Sequence, residues 1–207
     1  MANFVTNIIS KIYYWIVLSG YFYLGLFLGL GIFGVLPSLT AVVSLHMEAD
    51  NQFQMIRFKD YWREYKWNLK QSWGDSLFYS IAIALILWMI WFTSQFQGFI
   101  FLMSIVIQLG IFVILSFSLL AEAQLRQGID SNFFNFKKLA FIQFFSFPKL
   151  TFTNLVYGFF VMMTLITMPA IVFFFAISIW VSLFTLMYQQ TYIESGWIDE
   201  PREYLSK

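Results

Sequence analysis

The sequence predicts an all-α integral membrane protein of about five transmembrane helices, and three observations carry that reading. Hydrophobic residues make up 60% of the 207 positions and charged residues 11%, against about 25% charged in an ordinary soluble domain. The charges are also segregated: the runs 12–45, 76–121 and 150–193 contain none. Finally, every Lys and Arg except Lys11 lies in the segments between or after those runs. The hydrocarbon core is about 30 Å thick and one span takes about 20 apolar residues. The second and third runs therefore each hold two helices and a turn, and 1–207 reads as one transmembrane domain.

The first run, 12–45, is too long for one crossing and too short for two. Its second half reads "GLFLGLGIFGVLPSLTAVVSL" (25–45). Gly31, Gly34 and Pro37 mark a helix break, because proline donates no N–H and its ring would strike the carbonyl of Phe33 in a continuous helix. We expect a first crossing over 15–35 and a kinked continuation over 37–46, with Pro37 in the first turn, where its missing N–H costs little. The alternative is a re-entrant return of 37–46, which puts the N-terminus inside. Gly25 and Gly29 form a GxxxG pair that lets helix backbones approach closely, here expected within the chain. The apolar run far exceeds the 7–15-residue core of a signal peptide, so we expect it to be retained.

The next element is the segment "FQMIRFKDYWREYKWNLKQSWGDS" (53–76). At 100° per residue, Met55, Phe58, Tyr61, Trp62, Tyr65 and Leu69 share one face. Lys59, Arg63, Lys66 and Lys70 form a basic stripe beside it, and Asp60 and Glu64 an acidic stripe farther round. This predicts an interfacial amphipathic helix over 55–71, its aromatic face set into the headgroup boundary. The basic stripe then holds anionic lipid or docks a protein partner, and the two roles are compatible. Ser72 and Asp75 fit a capping box that starts the second crossing, 75–93.

A turn at "TSQFQG" leads to the third crossing, 99–121. The aromatic, Lys-bearing segment 133–147 predicts a second interfacial helix, and the pair 151–168 and 170–190 closes around "TMPA". Each unit reads as an acidic turn, an interfacial segment and a helical hairpin, a parallel repeat about the membrane normal. Neither hairpin turn carries Lys or Arg, whereas the segments 45–74 and 122–149 and the tail do. The positive-inside rule makes that basic side cytoplasmic. With five crossings, the N-terminus is then expected outside and the C-terminus inside.

Chemistry is thin. Zero cysteines exclude disulfides and thiolate chemistry, and a net charge of +1 gives no reason to expect nucleic-acid binding. The apolar runs hold none of the ionisable groups that mark proton relays and coupled transport. His46 beside Glu48 reads as interfacial rather than metal-binding, and Glu122 pairs with Arg126 at i, i+4. No catalytic residue, cofactor or metal ligand is expected, and the chain does not read as an enzyme.

The "GVLPSLTAV" break (34–42) followed by an acidic turn and "FKDYWREYKWNLKQSW" (58–73) resembles the YesL family of small membrane proteins, mostly from Gram-positive bacteria. Pro37, Thr40 and Ala41 match its Gly-x-x-Pro-x-x-Thr-Ala type of break. Trp62, Lys66, Asn68, Lys70 and Gln71 match its aromatic interfacial helix. Family members often place Lys or Arg directly after the break, where this chain has "HMEAD" (46–50). The resemblance implies a location in the bacterial plasma membrane and an association with carbohydrate uptake, and it assigns no catalytic residues. The expected function is an accessory subunit or assembly factor of a carbohydrate ABC importer, docked through Lys59, Arg63, Lys66 and Lys70. The alternative is a stand-alone small-solute transporter or channel that uses the broken first helix.

Overall fold

The computed structural model describes residues 2–49, 56–129 and 132–196, with side chains from Ile8 onward. The described chain is all helical: α1 (Ala2–Leu28), α2 (Val35–Glu48), α3 (Phe58–Thr93), α4 (Phe99–Leu125), α5 (Phe133–Ser146), α6 (Pro148–Thr167) and α7 (Pro169–Glu194). Five of these, α1, α3, α4, α6 and α7, are long and apolar enough to cross a membrane. Most of the large apolar side chains from Phe78 to Ile111 and from Phe152 to Phe174 face outward, as a lipid solvent permits. Pro148 and Pro169 stand at the helix starts, where a missing N–H is harmless.

The break in the first run begins at Gly29, six residues earlier than the expected first crossing would end. Leu30 (φ 53°) and Gly31 (φ 75°) adopt left-handed backbone. The N–H of Gly31 donates to Leu26 O (2.8 Å) and that of Leu30 to Phe27 O (3.0 Å). This pattern of bonds is the Schellman motif, which satisfies the last carbonyls of α1 and reverses the chain. Pro37 sits inside the first turn of α2, after Gly34 at the cap.

That reversal corrects the kinked continuation, and α2 takes the re-entrant path. Ser38 lies beside Gly25, and His46 Nδ1 is 2.6 Å from the Tyr14 hydroxyl, so α2 runs back antiparallel along α1. A Cβ on Gly29 would strike the backbone of Gly34, and one on Gly34 would strike Gly25 O. One on Gly25 would collide with the Tyr61 and Ser38 hydroxyls. These glycines are what let α1, α2 and α3 close together, as the GxxxG pair implied.

Trp15 Nε1 donates to Ser182 Oγ (3.2 Å), Ser19 Oγ to Ser178 Oγ (3.1 Å), and Tyr23 stacks on Phe173. Helices α1 and α7 are therefore antiparallel neighbours.

The separation of an interfacial helix from the second crossing does not occur. Helix α3 is continuous for 36 residues, about 54 Å, and its apolar second half alone is long enough to span. Ser72 forms no capping box: its hydroxyl donates back to Asn68 O (2.7 Å) within the helix. The expected membrane-facing aromatics are in part internal, since Tyr61 and Tyr65 are buried against α1. Tyr65 donates to Gly25 O (3.0 Å), and Tyr21 stacks on Tyr61. An apolar helical face fits protein as well as lipid, and the glycine-lined face of α1 is what claims it. Met55 lies outside the described residues.

Two outcomes follow. Gly29→Ala or Gly34→Ala should lower the thermal unfolding midpoint in detergent, by the equivalent of about 1–3 kcal/mol of overpacking. Gly20→Ala, where an added Cβ meets nothing within 4 Å, should not lower it. Single cysteines at Ser10 and Gln127 in this cysteine-free chain should be labelled by an impermeant maleimide from one and the same side; labelling from opposite sides would overturn the α1–α7 pairing.

Candidate functional site

Where α3, α4 and α5 meet, four charged side chains are drawn into the protein. Asp75 comes from the middle of α3, Glu122 from the last turn of α4, Arg126 from its cap and Lys137 from the first turns of α5. Glu122 is fully buried and Asp75 nearly so. Arg126 donates through Nε (3.1 Å) and Nη2 (2.8 Å) to Glu122 Oε1, and Nη2 also pairs with Asp75. Lys137 Nζ bridges the same two acids, 2.7 Å from Asp75 Oδ1 and 2.6 Å from Glu122 Oε2. The Tyr79 hydroxyl donates to Glu122 Oε2 (3.0 Å).

Two acids and two bases make the cluster neutral, and each of the four carboxylate oxygens lies against a cation. That completeness is what makes such burial tolerable, since an isolated charge in a low-dielectric interior is very costly. Aromatic rings shield the cations: Arg126 lies over Phe136 (4.5 Å) and Lys137 over Tyr79 (4.1 Å). The expected Glu122–Arg126 pair is present; Asp75 and Lys137 are the partners that helical spacing could not supply, being 51 and 15 residues from their respective mates, Arg126 and Glu122. The one available signal was position, because Asp75 and Glu122 flank the charge-free run 76–121.

The interruption of α1 is closed by α3. Ile32 O accepts from both Ser76 Oγ (2.8 Å) and Ser80 Oγ (2.9 Å), while the Leu36 N–H donates to Ser76 Oγ (3.3 Å). The break residues Gly31, Gly34 and Pro37 thus belong to a turn whose stranded carbonyl at Ile32 is satisfied by side chains. His46, expected at an interface, is buried against Tyr14. Among the described residues no group of three or more His, Asp and Glu could hold a metal ion.

The basic stripe is brought to the outside. Lys59, Arg63, Lys66 and Lys70 are all exposed on α3, opposite the buried Tyr61, Tyr65 and Asn68. The acidic stripe is not wholly separate from it, because Arg63 reaches both Asp60 (3.5 Å) and Glu64 (3.3 Å). Lys66 covers the Trp62 ring at 4.8 Å. Glu64 also accepts from Ser44 Oγ of α2 (3.4 Å), so the acidic side turns inward.

Beside Arg126 lies a polar cavity of about 580 Å³, bounded by Ser44 of α2, by Glu64, Trp67, Asn68 and Gln71 of α3, and by Gln127, Asn132 and Phe136 near the α4–α5 connection. Asn68 Nδ2 is engaged by Glu64 O (2.9 Å) and Gln127 Nε2 by Thr40 O (3.1 Å). Their amide oxygens are left as acceptors.

One family model matches this chain. It is described as "Protein of unknown function, DUF624" and covers residues 14–92. The match takes in most of α1, all of α2 and nearly all of α3, including the turn, the glycine contacts, the basic face and Asp75. The rest of the charge cluster lies beyond it. No curated protein and no solved structure matches the chain.

The cluster predicts a coupling between substitutions. Removing one member, as in Lys137→Met or Glu122→Gln, should cost on the order of 3 kcal/mol by leaving a charge uncompensated. The double variant should lose clearly less than the two single losses added together. Additive losses in a double-mutant cycle, read from unfolding in detergent, would show that the two groups do not act as a unit.

Proposed function

We propose that the chain is an accessory membrane subunit or assembly factor of a bacterial carbohydrate ABC importer, docking through the outer face of α3. The observation that carries the docking is the exposed row Lys59, Arg63, Lys66 and Lys70 on a helix whose other face is pinned by Tyr61 and Tyr65. A rigid helix presents charges at fixed spacing, so its docking face needs little ordering on contact. Lys59 and Lys70 form no ion pair among the described residues, which leaves them for an acidic partner surface or for anionic lipid.

The link to carbohydrate rests on the resemblance of 34–42 and 58–73 to the YesL family, and the matched stretch 14–92 contains both segments. In the plasma membrane the start of α1 and the end of α7 are assigned to the cytoplasm. Lys11 then joins the other basic residues on one side and removes the exception that the five-crossing count had left.

A stand-alone transporter or channel is the second reading. The feature in its favour is α2, a 14-residue re-entrant helix buried along most of its length, since interrupted helices form the sites of several transporter classes. Against it, Ser76 and Ser80 already occupy the carbonyl at Ile32, so the turn offers little unwound backbone to a solute.

Docking predicts that Arg63→Glu with Lys70→Glu abolishes co-purification with an ABC permease or ATPase in mild detergent, while membrane content and melting stay unchanged. Retained co-purification would assign the stripe to lipid alone. Absence of any importer component in the wild-type preparation would favour the transporter.

A further inference from the structure

We infer that the cavity beside Arg126 binds a small, neutral, polyhydroxylated solute. This does not depend on docking through the basic face. At about 580 Å³ the cavity falls within the range of small-molecule sites, about 300–1,000 Å³. Its lining is the unusual part: four carboxamides, Asn68, Gln71, Gln127 and Asn132, converge with Trp67.

The internal hydrogen bonds decide which groups a ligand meets. Asn68 and Gln127 spend their amide N–H groups on backbone carbonyls and so offer acceptor oxygens. Among the described residues, Gln71 and Asn132 make no side-chain hydrogen bond, and each carboxamide supplies a donor and an acceptor. Arg126 uses Nε and Nη2 on Glu122 and Asp75, which leaves the donors of Nη1. Interleaved donors and acceptors suit hydroxyl groups, each of which donates and accepts at once. The exposed indole of Trp67 supplies an apolar face for ring C–H groups.

Charge balance selects a neutral solute. The guanidinium at the cavity wall is compensated by Asp75 and Glu122 behind it, so little positive potential remains to hold a phosphate or carboxylate. Glu64 has Arg63 at 3.3 Å, which weakens the attraction for a cation. A purely apolar guest would leave the carboxamides unpaired, at a cost for every buried group.

The test uses the full chain in detergent or nanodiscs. Binding of glucose, xylose, myo-inositol and mannitol, with anionic glucose 6-phosphate and zwitterionic serine as comparators, is measured by saturation-transfer NMR and calorimetry. At least one neutral compound should bind with a Kd in the millimolar range or tighter. Trp67→Ala, Gln71→Leu and Asn132→Leu should each weaken it about tenfold, with melting temperatures at the wild-type value because all three side chains are exposed. Lys138→Ala, which does not border the cavity, should leave it unchanged. Three results would overturn the inference: no neutral compound binding, binding insensitive to all three cavity variants, or glucose 6-phosphate or serine binding more tightly than every neutral compound.

Discussion

A chain that reverses inside apolar surroundings must find partners for the backbone it unwinds, because an unpaired peptide group there costs several kcal/mol. Here that requirement falls on α3. Ser76 and Ser80 take up the carbonyl at Ile32, and Ser76 also receives the Leu36 N–H that opens α2. Once α3 is fixed at that height, its neighbouring residues are fixed too. Asp75 and Tyr79 flank Ser76 and reach Arg126, Lys137 and Glu122. Tyr61 and Tyr65 meet Gly25 farther down. The turn, the charge cluster and the close α1–α3 contact are three consequences of one helix position.

The charge cluster does for the second half of the chain what the serines do for the first. It joins α4 and α5 to α3 through bonds that succeed only when all four side chains are present in register. Apolar packing tolerates sliding, whereas a pair of carboxylates shared between a guanidinium and an ammonium does not. Carboxamides and hydroxyls extend the same logic to α7. Tyr192 donates to Gln143 (2.5 Å), and Asn154 bonds both Trp180 (3.0 Å) and Tyr188 (3.0 Å). In a lipid solvent, where apolar contact between helices brings no hydrophobic gain, such polar contacts set which helix lies against which.

Composition and charge-free runs made the helical membrane class and the five long apolar helices legible, because those properties depend on length and polarity alone. The need for an interruption between Gly25 and Pro37 was legible as well. Its direction was not: a proline and several glycines permit a kink or a reversal, and the choice lies in contacts such as Tyr14 with His46 that are 32 residues apart. The aromatic face of 58–69 was read as lipid-facing because periodicity gives an apolar face without saying what covers it. The cluster was half legible, since helical spacing exposes Glu122 with Arg126 and says nothing of Asp75 or Lys137.

The two halves that read as repeats fold differently for a local reason. In both, an aromatic and basic segment leads into a hairpin of long helices. Between α5 and α6 stands Pro148, which has no N–H to continue the first helix and clashes with its last turn; the chain bends at Phe147 (φ −120°, ψ 72°) and restarts. Residues 71–75 contain no proline, and Gly74 alone lowers helix stability by only about 1 kcal/mol. That cost is small beside the contacts which Asp75 and Ser76 gain by continuing in register, so α3 runs through. The consequence is mechanical. A force applied to the basic face of α3 is transmitted along unbroken backbone to Asp75, Ser76 and the re-entrant turn, whereas one applied to α5 meets a joint before it reaches α6.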